Sequence, residues 1–174
     1  MQKSYTAYKM TLRPIEIADL NKLRKWRNSD EIRSFMLDQS VISEQQQLDW
    51  FSSLDRKVDE IHFSVDYKGN CVGYANVKQL RDTNKLNTGL YIGDAQYRGT
   101  FLAQCLGLAL LDYCFNVLNV DRVFAQVLEE NNAALRYNRL FGYEVSHIDA
   151  GIVYMQLSSS NYEREKKKII RFIR

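Results

Sequence analysis

The sequence is poor in the residues that mark several protein classes. It holds one proline, Pro14, and two histidines, His62 and His147, in 174 residues. Its three cysteines, Cys71, Cys105 and Cys114, are odd in number and sit in apolar, periodic stretches, where a buried thiol acts as a small hydrophobe. That usage predicts a reducing compartment and no metal site. No stretch approaches the roughly 20 apolar residues of a membrane span, and Met1 to Pro14 lacks the apolar run of a secretory signal. The expectation is a cytoplasmic protein. Internal repeats, low-complexity tracts and interdomain linkers are also lacking.

A basic surface is missing as well. The net charge is +3, yet residues 163–174 carry six basic and two acidic side chains, so this tail is +4 and residues 1–162 are −1. A nucleic-acid-binding face would show clustered Lys and Arg on the body, so that class of partner is set aside. With 45% hydrophobic residues, a chain of this length buries a core without disulfides or metal. The expected organisation is one domain over 1–162 and a basic amphipathic tail over 163–174. Lys166 to Lys168 alternate there with Ile169, Ile170, Phe172 and Ile173. Either the tail is a short helix that touches a membrane or an acidic partner, or, the preferred reading, it packs its apolar side on the domain or on the second subunit of a homodimer.

Periodicity gives the element order. Tyr8 to Pro14 reads as a strand ended by the proline. Ile17, Leu20, Leu23 and Trp26 follow helical spacing, Ile32, Phe35 and Met36 suggest a second short helix, and Ser43 is the predicted N-cap of a third carrying Leu48, Phe51 and Leu54. Ile61 to Tyr67 and Cys71 to Leu80 form a hairpin around Lys68-Gly69-Asn70. A second turn at Asp82-Thr83-Asn84-Lys85 leads into a strand, Asn87 to Ile92. Leu102 to Val117 is the strongest helix, with Leu102, Leu106, Ala109, Leu110, Tyr113 and Val117 marking one face. A strand at Arg122 to Leu128, a helix at Ala133 to Leu140 and strands at Glu144 to Ile148 and Ile152 to Ser158 complete an α+β domain with a mixed sheet flanked by helices.

The chemistry concentrates where the strand ending Leu90-Tyr91-Ile92 passes through Gly93-Asp94 and Arg98-Gly99-Thr100-Phe101-Leu102-Ala103 into the long helix. Strand, tight loop and helix N-terminus together aim unpaired backbone N–H groups at one point, which suits an anion such as a pyrophosphate. Read alone, Gly99 is equally a turn glycine before a helix.

Order and spacing extend the pattern: Tyr91-Ile92-Gly93-Asp94, the loop with Arg98 and Ala103, Asp121-Arg122-Val123, Asn131-Asn132-Ala133-Ala134 and Phe141-Gly142-Tyr143. From Thr88 to Tyr143 this resembles the acetyl-CoA-binding half of GNAT acetyltransferases. The resemblance implies a GNAT-like mixed sheet whose central strands splay to bind acetyl-CoA, held by Tyr91, Ile92, the segment Arg98, Gly99, Thr100, Phe101, Leu102 and Ala103, and Asn131. It implies direct attack of an amine on the thioester, with a main-chain N–H at Ile92 stabilising the oxyanion. Two departures stand out. Phe101 occupies the position of the loop's first glycine, which predicts a hindered approach or a different loop path. Asn138 occupies the position of the tyrosine general acid, with Tyr137 one residue, about 100°, away. Four routes for thiolate departure follow: Tyr137 after a helix shift, Asn138, a water, or no assistance, since a thiol of pKa about 8.5 leaves tolerably. The histidines are read as strand residues rather than bases.

The N-terminal part, with Trp26-Arg27-Asn28, Met36 and Gln47 on the third helix, resembles the GNAT subgroup that acetylates nucleotide-linked amino-deoxy sugars, specifically the UDP-4-amino-4,6-dideoxy-N-acetyl-altrosamine N-acetyltransferases of pseudaminic acid synthesis. Gln47 falls where that subgroup has a histidine. Arg27 then pairs with a diphosphate, or else it salt-bridges or caps nearby helix ends. Trp26, Phe35 or Trp50 then packs on a base or a deoxy-sugar methyl, or else Trp26 and Phe35 belong to the core. A protein N-terminal acetyltransferase of the same fold, and an acetyl-CoA-binding module with little catalysis, are the competing expectations.

Overall fold

The computed structural model describes residues 2–80 and 85–173. Asp82, Thr83 and Asn84 of the expected second turn lie outside them. Eight strands form one sheet in the order β1-β2-β3-β4-β5-β6-β8-β7: β1 Tyr5–Ala7, β2 Met10–Pro14, β3 Glu60–Tyr67, β4 Asn70–Leu80, β5 Lys85–Ile92, β6 Arg122–Leu128, β7 Glu144–Asp149 and β8 Ile152–Ser158. Every pairing is antiparallel except β5 with β6. Parallel neighbours need a long crossover, and here it is α4, Leu102–Asp112, with a π-helical turn at Tyr113–Val117. The other helices are α1 Leu20–Asn28, α2 Asp30–Arg33, α3 Glu44–Ser53, α5 Asn132–Leu140 and α6 Ser159–Ile173.

Three hairpins turn on two residues in left-handed conformation: Tyr8-Lys9 (φ 51° and 65°), Lys68-Gly69 (51° and 78°) and Ala150-Gly151 (47° and 77°). Such turns match the twist of the strands they join. Tyr8 is therefore a turn residue rather than the start of a strand, and the first hairpin contributes an additional strand, β1. Ser43 caps α3 as its sequence suggests: its Oγ accepts the Gln46 N–H at 3.1 Å and Gln46 Oε1 accepts the Ser43 N–H at 2.8 Å.

Helix α4 is buried on all sides from Cys105 to Asp112, not on one face. It lies between the sheet and α6, and a helix apolar all round belongs in such an interior. Alternation on the strands supplies its bed: Phe63, Val65, Val72, Ala75, Val77, Val123, Val127, Met155 and Leu157 belong to the same cluster. The opposite face of the sheet carries a smaller cluster, Ile15, Leu20 and Leu23, against Trp26, Trp50, Phe51, Leu54 and Tyr74. Ile17 (70% exposed) and Leu48 (37%) lie outside it. Ile17 sits in a 3₁₀ turn before α1, and Gln47 is the buried residue of α3.

The basic tail is part of α6, which begins at Ser159, so the expected boundary at 162/163 falls inside a helix. Tyr162 and Ile169 enter the main core. The buried Asp112 carboxylate accepts Tyr162 Oη at 2.6 Å, Lys166 Nζ at 2.7 Å and Tyr8 Oη at 2.7 Å. No helix among the described residues is long and apolar enough to cross a membrane.

Candidate active site

Strands β5 and β6 are joined by one register pair, Asn87 with Phe124, near the start of both. Beyond it they diverge. A cavity of about 960 Å³ occupies the opening, walled by Thr88 to Ile92 on one side and Ala125 to Val127 on the other. The Gly93 N–H donates to the Val72 carbonyl on β4 at 2.9 Å. Because successive residues of a strand aim their backbone groups to opposite sides, the Ile92 N–H points away from β4, into this opening.

Below the opening lies the N-terminal turn of α4, whose first N–H groups have no intrahelical acceptor. Gly99 takes φ +72° with open space around it, which suits a glycine. Phe101 has φ −63° and ψ −9°, ordinary helical values, and its ring is 47% exposed. The backbone there does not require the glycine of the family pattern. Thr100 Oγ1 donates to the Tyr97 carbonyl at 2.6 Å, and Leu102 is buried in the core. Arg98 lines the cavity, whereas Gly99, Thr100, Phe101, Leu102 and Ala103 do not. These five form the turn and the first residues of α4 next to Arg98.

Helix α5 closes the third side. Its N-cap, Asn131, spends Oδ1 on the Ala134 N–H at 3.1 Å, leaving the amide NH₂ uncommitted by that bond, on a residue that lines the cavity. Tyr137 and Asn138 also line it and diverge as adjacent helical residues must. Tyr137 Oη donates to the Ala103 carbonyl at 2.6 Å, and burial holds its proton far more tightly than in a free tyrosine. Asn138 Nδ2 donates to Met155 Sδ at 3.6 Å. Tyr143, which the sequence offers only as the end of the α5 motif, reaches across the opening to Thr88 on β5, hydroxyl to hydroxyl at 3.0 Å.

On the other side of the sheet, Arg27, Met36 and the buried Gln47 line the same cavity. Trp26 and Asn28 do not. Trp26 packs flat on Gly93, where a methyl group would overlap its ring, and Asn28 spends both amide atoms on the Ile42 backbone, each at 2.8 Å. Each makes a supporting contact: Trp26 backs the end of β5, and Asn28 ties α1 to the segment before α3. Arg27 Nη2 donates to the Asp38 carbonyl, while its Nη1 is buried without a hydrogen-bond partner. An unpartnered buried donor is rare, and this one belongs to a cavity-lining residue.

Three wall residues, Tyr74, Asn76 and Lys78, went unread in the sequence, and a fourth, His62, was read only as a strand histidine. His62, Tyr74, Asn76 and Lys78 share a face of the β3–β4 hairpin and line the cavity. His62 Nδ1 and Tyr74 Oη lie 2.6 Å apart, His62 Nε2 and Glu60 Oε2 2.8 Å, and Asn76 Nδ2 donates to Tyr74 Oη at 3.2 Å. Tyr74 stacks on Tyr91 at 5.3 Å, and the edge of Trp50 covers His62 at 5.2 Å. The alternation Glu60-His62 and Tyr74-Asn76-Lys78 was the available signal. No cluster of His, Cys, Asp and Glu able to hold a metal occurs among the described residues.

Residues 9–144 match the family described as Acetyltransferase (GNAT) domain. Spermidine N(1)-acetyltransferase of Escherichia coli K12 is 23% identical over 140 residues, 80% of this chain and 75% of that protein. Among solved structures, apo FdhC, a nucleotide-linked sugar GNAT, superposes with a TM-score of 0.81 at 17% identity over 100% of both chains. Campylobacter jejuni N-acetyltransferase PseH in complex with acetyl coenzyme A does so with a TM-score of 0.69 at 18% identity, covering 86% of this chain and 99% of that one. At these identities the structural likenesses speak for the fold.

Proposed function

This chain belongs to the GNAT family, acetyl-CoA-dependent N-acetyltransferases, and we propose that the amine it acetylates is the 4-amino group of a nucleotide-linked amino-deoxy sugar. The observation that carries this reading is Arg27 Nη1, buried and unpartnered beside the cavity. A guanidinium with one N–H donor left without an acceptor is built to receive an anionic or carbonyl oxygen, which a diphosphate supplies. Tyr74 and Tyr91, stacked together, and Trp50 give the cavity the aromatic wall that a deoxy-sugar or base packs against. A polyamine carries several ammonium groups and calls for carboxylates, but among the described residues the cavity lining sets the cations Arg27, Lys78 and Arg98 against the carboxylates of Glu31 and Asp38.

The residues fit acetyl-CoA: an opening between two strands with Arg98 and the Asn131 amide on its wall, and next to Arg98 a left-handed Gly99 leading into the N-terminus of α4. The cosubstrate supplies an acetyl thioester. Asn131 and the first turn of α4 hold its arm, and the Ile92 N–H receives the oxyanion that forms on attack. Tyr137 spends its single hydroxyl proton on the Ala103 carbonyl, so Asn138, with a second amide N–H beyond the one given to Met155 Sδ, is the α5 donor that remains for the departing sulfur. An amide can donate a hydrogen bond but not a proton.

Thiol release from acetyl-CoA tests the substrate. A UDP-4-amino-4,6-dideoxy sugar, a dTDP-linked amino sugar, spermidine and N-terminal peptides are compared on one preparation. Release with a nucleotide sugar, with KM raised about tenfold or more in Arg27→Met, is expected. Release confined to spermidine or to peptides would overturn the sugar reading.

A further inference from the structure

We propose that Tyr74 and His62, with Glu60 behind them, form the base that takes the proton from the attacking amine. The proposal rests on acetyl transfer to nitrogen and holds for whichever amine the cavity accepts.

The chain of contacts has a direction. A carboxylate only accepts hydrogen bonds, so His62 Nε2, 2.8 Å from Glu60 Oε2, carries the ring proton. Nδ1 is then the acceptor, and Tyr74 Oη donates to it at 2.6 Å. Asn76 Nδ2 donates into the same oxygen at 3.2 Å, which keeps the tyrosine proton aimed at His62 and leaves one lone pair of Oη unspent. Gly89 makes room for this arrangement, since a methyl there would stand 3.2 Å from both Asn76 amide atoms. Tyr74 and His62 line the cavity, whereas Glu60, 26% exposed at its side chain, meets solvent.

When the amine nitrogen bonds to the thioester carbon it becomes a strongly acidic ammonium. Its proton passes to Tyr74 Oη as the tyrosine proton passes to His62 Nδ1, so no tyrosinate forms. Burial would oppose one, holding the Tyr74 proton well above its usual range. The C–S bond breaks, the thiolate takes a proton from solvent, and the imidazolium beside Glu60 returns one to solvent. Amide and thiol leave the protein with its starting charge.

The charged or titratable groups around His62 are Glu60 on its own strand, Lys57 in the preceding turn, and Lys78 and Tyr74 on β4; α3 presents Trp50 and Gln47. Burial pulls His62 below its usual pKa, Lys78 and Lys57 pull the same way, and Glu60 opposes them. His62 is thus neutral, able to act as a base, at neutral pH.

The test uses the full chain carrying His147→Gln, which leaves His62 as the single histidine and, since His147 is exposed on β7, is expected to leave turnover unchanged. kcat/KM is followed from about pH 5 to 9 with spermidine and with the UDP-4-amino sugar. Rate should fall on the acid side as His62 charges. Glu60→Gln should move that limb to lower pH, His62→Gln should abolish it, and Tyr74→Phe, which keeps the ring on Tyr91, should lower kcat about 100-fold with little change in KM, as loss of a general base does. A Tyr74→Phe enzyme within about threefold of the parent, or a limb unmoved in Glu60→Gln, overturns the proposal. ¹⁵N NMR of His62 needs no amine. Proton on Nε2 and titration below 6.5 are expected, and a proton on Nδ1 at neutral pH sinks the relay by itself. Spermidine turnover with a normal acid limb and no sugar turnover would refute the sugar reading and leave the relay standing.

Discussion

Replacing Gly107 by alanine sets two physical effects against each other. Bare helix propensity favours alanine by about 1 kcal/mol. Gly107, however, lies in α4 where α5 crosses it, and a methyl there would overlap Tyr137 Oη and the Phe141 ring, with Phe141 Cε2 at 2.9 Å. Ordinary contact is about 3.5–4.0 Å, so α5 must retreat by roughly 1 Å. Overpacking costs about 1–3 kcal/mol, and breaking the 2.6 Å bond from Tyr137 to the Ala103 carbonyl costs about 1 kcal/mol. The net is a loss of about 2 kcal/mol, or about 4–8 °C in Tm for a chain of this size. Thermal unfolding followed by circular dichroism reads it directly. Because α5 carries Asn131 and Asn138, KM for acetyl-CoA should rise as well. A Tm raised by several degrees would show that propensity governs the position and would refute the packing argument.

Asp112→Ala removes the acceptor of Lys166, Tyr162 and Tyr8 and leaves Lys166 with only the exposed Glu163 carboxylate at 3.9 Å, so a loss of about 2–4 kcal/mol is expected in urea unfolding. Tyr137→Phe should cost about 1 kcal/mol of stability for its lost hydrogen bond and change kcat less than threefold, because its proton is spent on Ala103; a 100-fold fall in kcat would restore it as the general acid. For pH, burial tends to raise the Asp19 pKa, but the hydrogen bonds from Arg13, the Glu16 N–H and Ser64, with the Arg13 charge, outweigh it and leave the carboxyl below its unfolded value of 3.8. A depressed carboxylate pKa stabilises the fold above the unfolded value and loses that contribution as pH falls through the folded one. Stability should therefore drop below about pH 4, and Arg13→Met should flatten that drop while lowering stability at neutral pH.

The cosubstrate half was legible because its parts are local and ordered along the chain: strand, loop, helix, capping Asn131, and Phe141-Gly142-Tyr143. The wall of the substrate half was not, and one residue explains why. The Lys68-Gly69 turn fixes Tyr67 opposite Asn70 and Asp66 opposite Cys71, and counting on would set His62 against Ala75. The register shifts between Val65 and Asp66, leaving Val72 as the extra residue, so His62 faces Asn76 and Ser64 faces Tyr74. A slip of one residue moves a strand's side chains to the opposite face, and nothing in the sequence marks Val72 as a bulge. The supporting contacts of Trp26 and Asn28 were hidden for a different reason. Helical spacing places them near the site, but which neighbour each side chain finds, Gly93 or Ile42, depends on elements distant in sequence. Ile17 and Leu48 were misplaced because periodicity cannot say where a short helix begins or which of its stripes the sheet covers.

The contacts of Asp112 also bear on how the site receives its ligands. The first hairpin belongs to the β1–β5 arm of the sheet and α6 continues the β6–β8 arm, so a single carboxylate on α4 braces both arms behind the gap. Anything wedged between β5 and β6 works against that brace. An aperture braced in this way before the cosubstrate arrives is expected to consume little of the binding free energy in opening. Asp112, remote from the gap, is thereby expected to be coupled to cosubstrate affinity: Asp112→Ala should weaken acetyl-CoA binding in calorimetry although the residue lies outside the cavity lining.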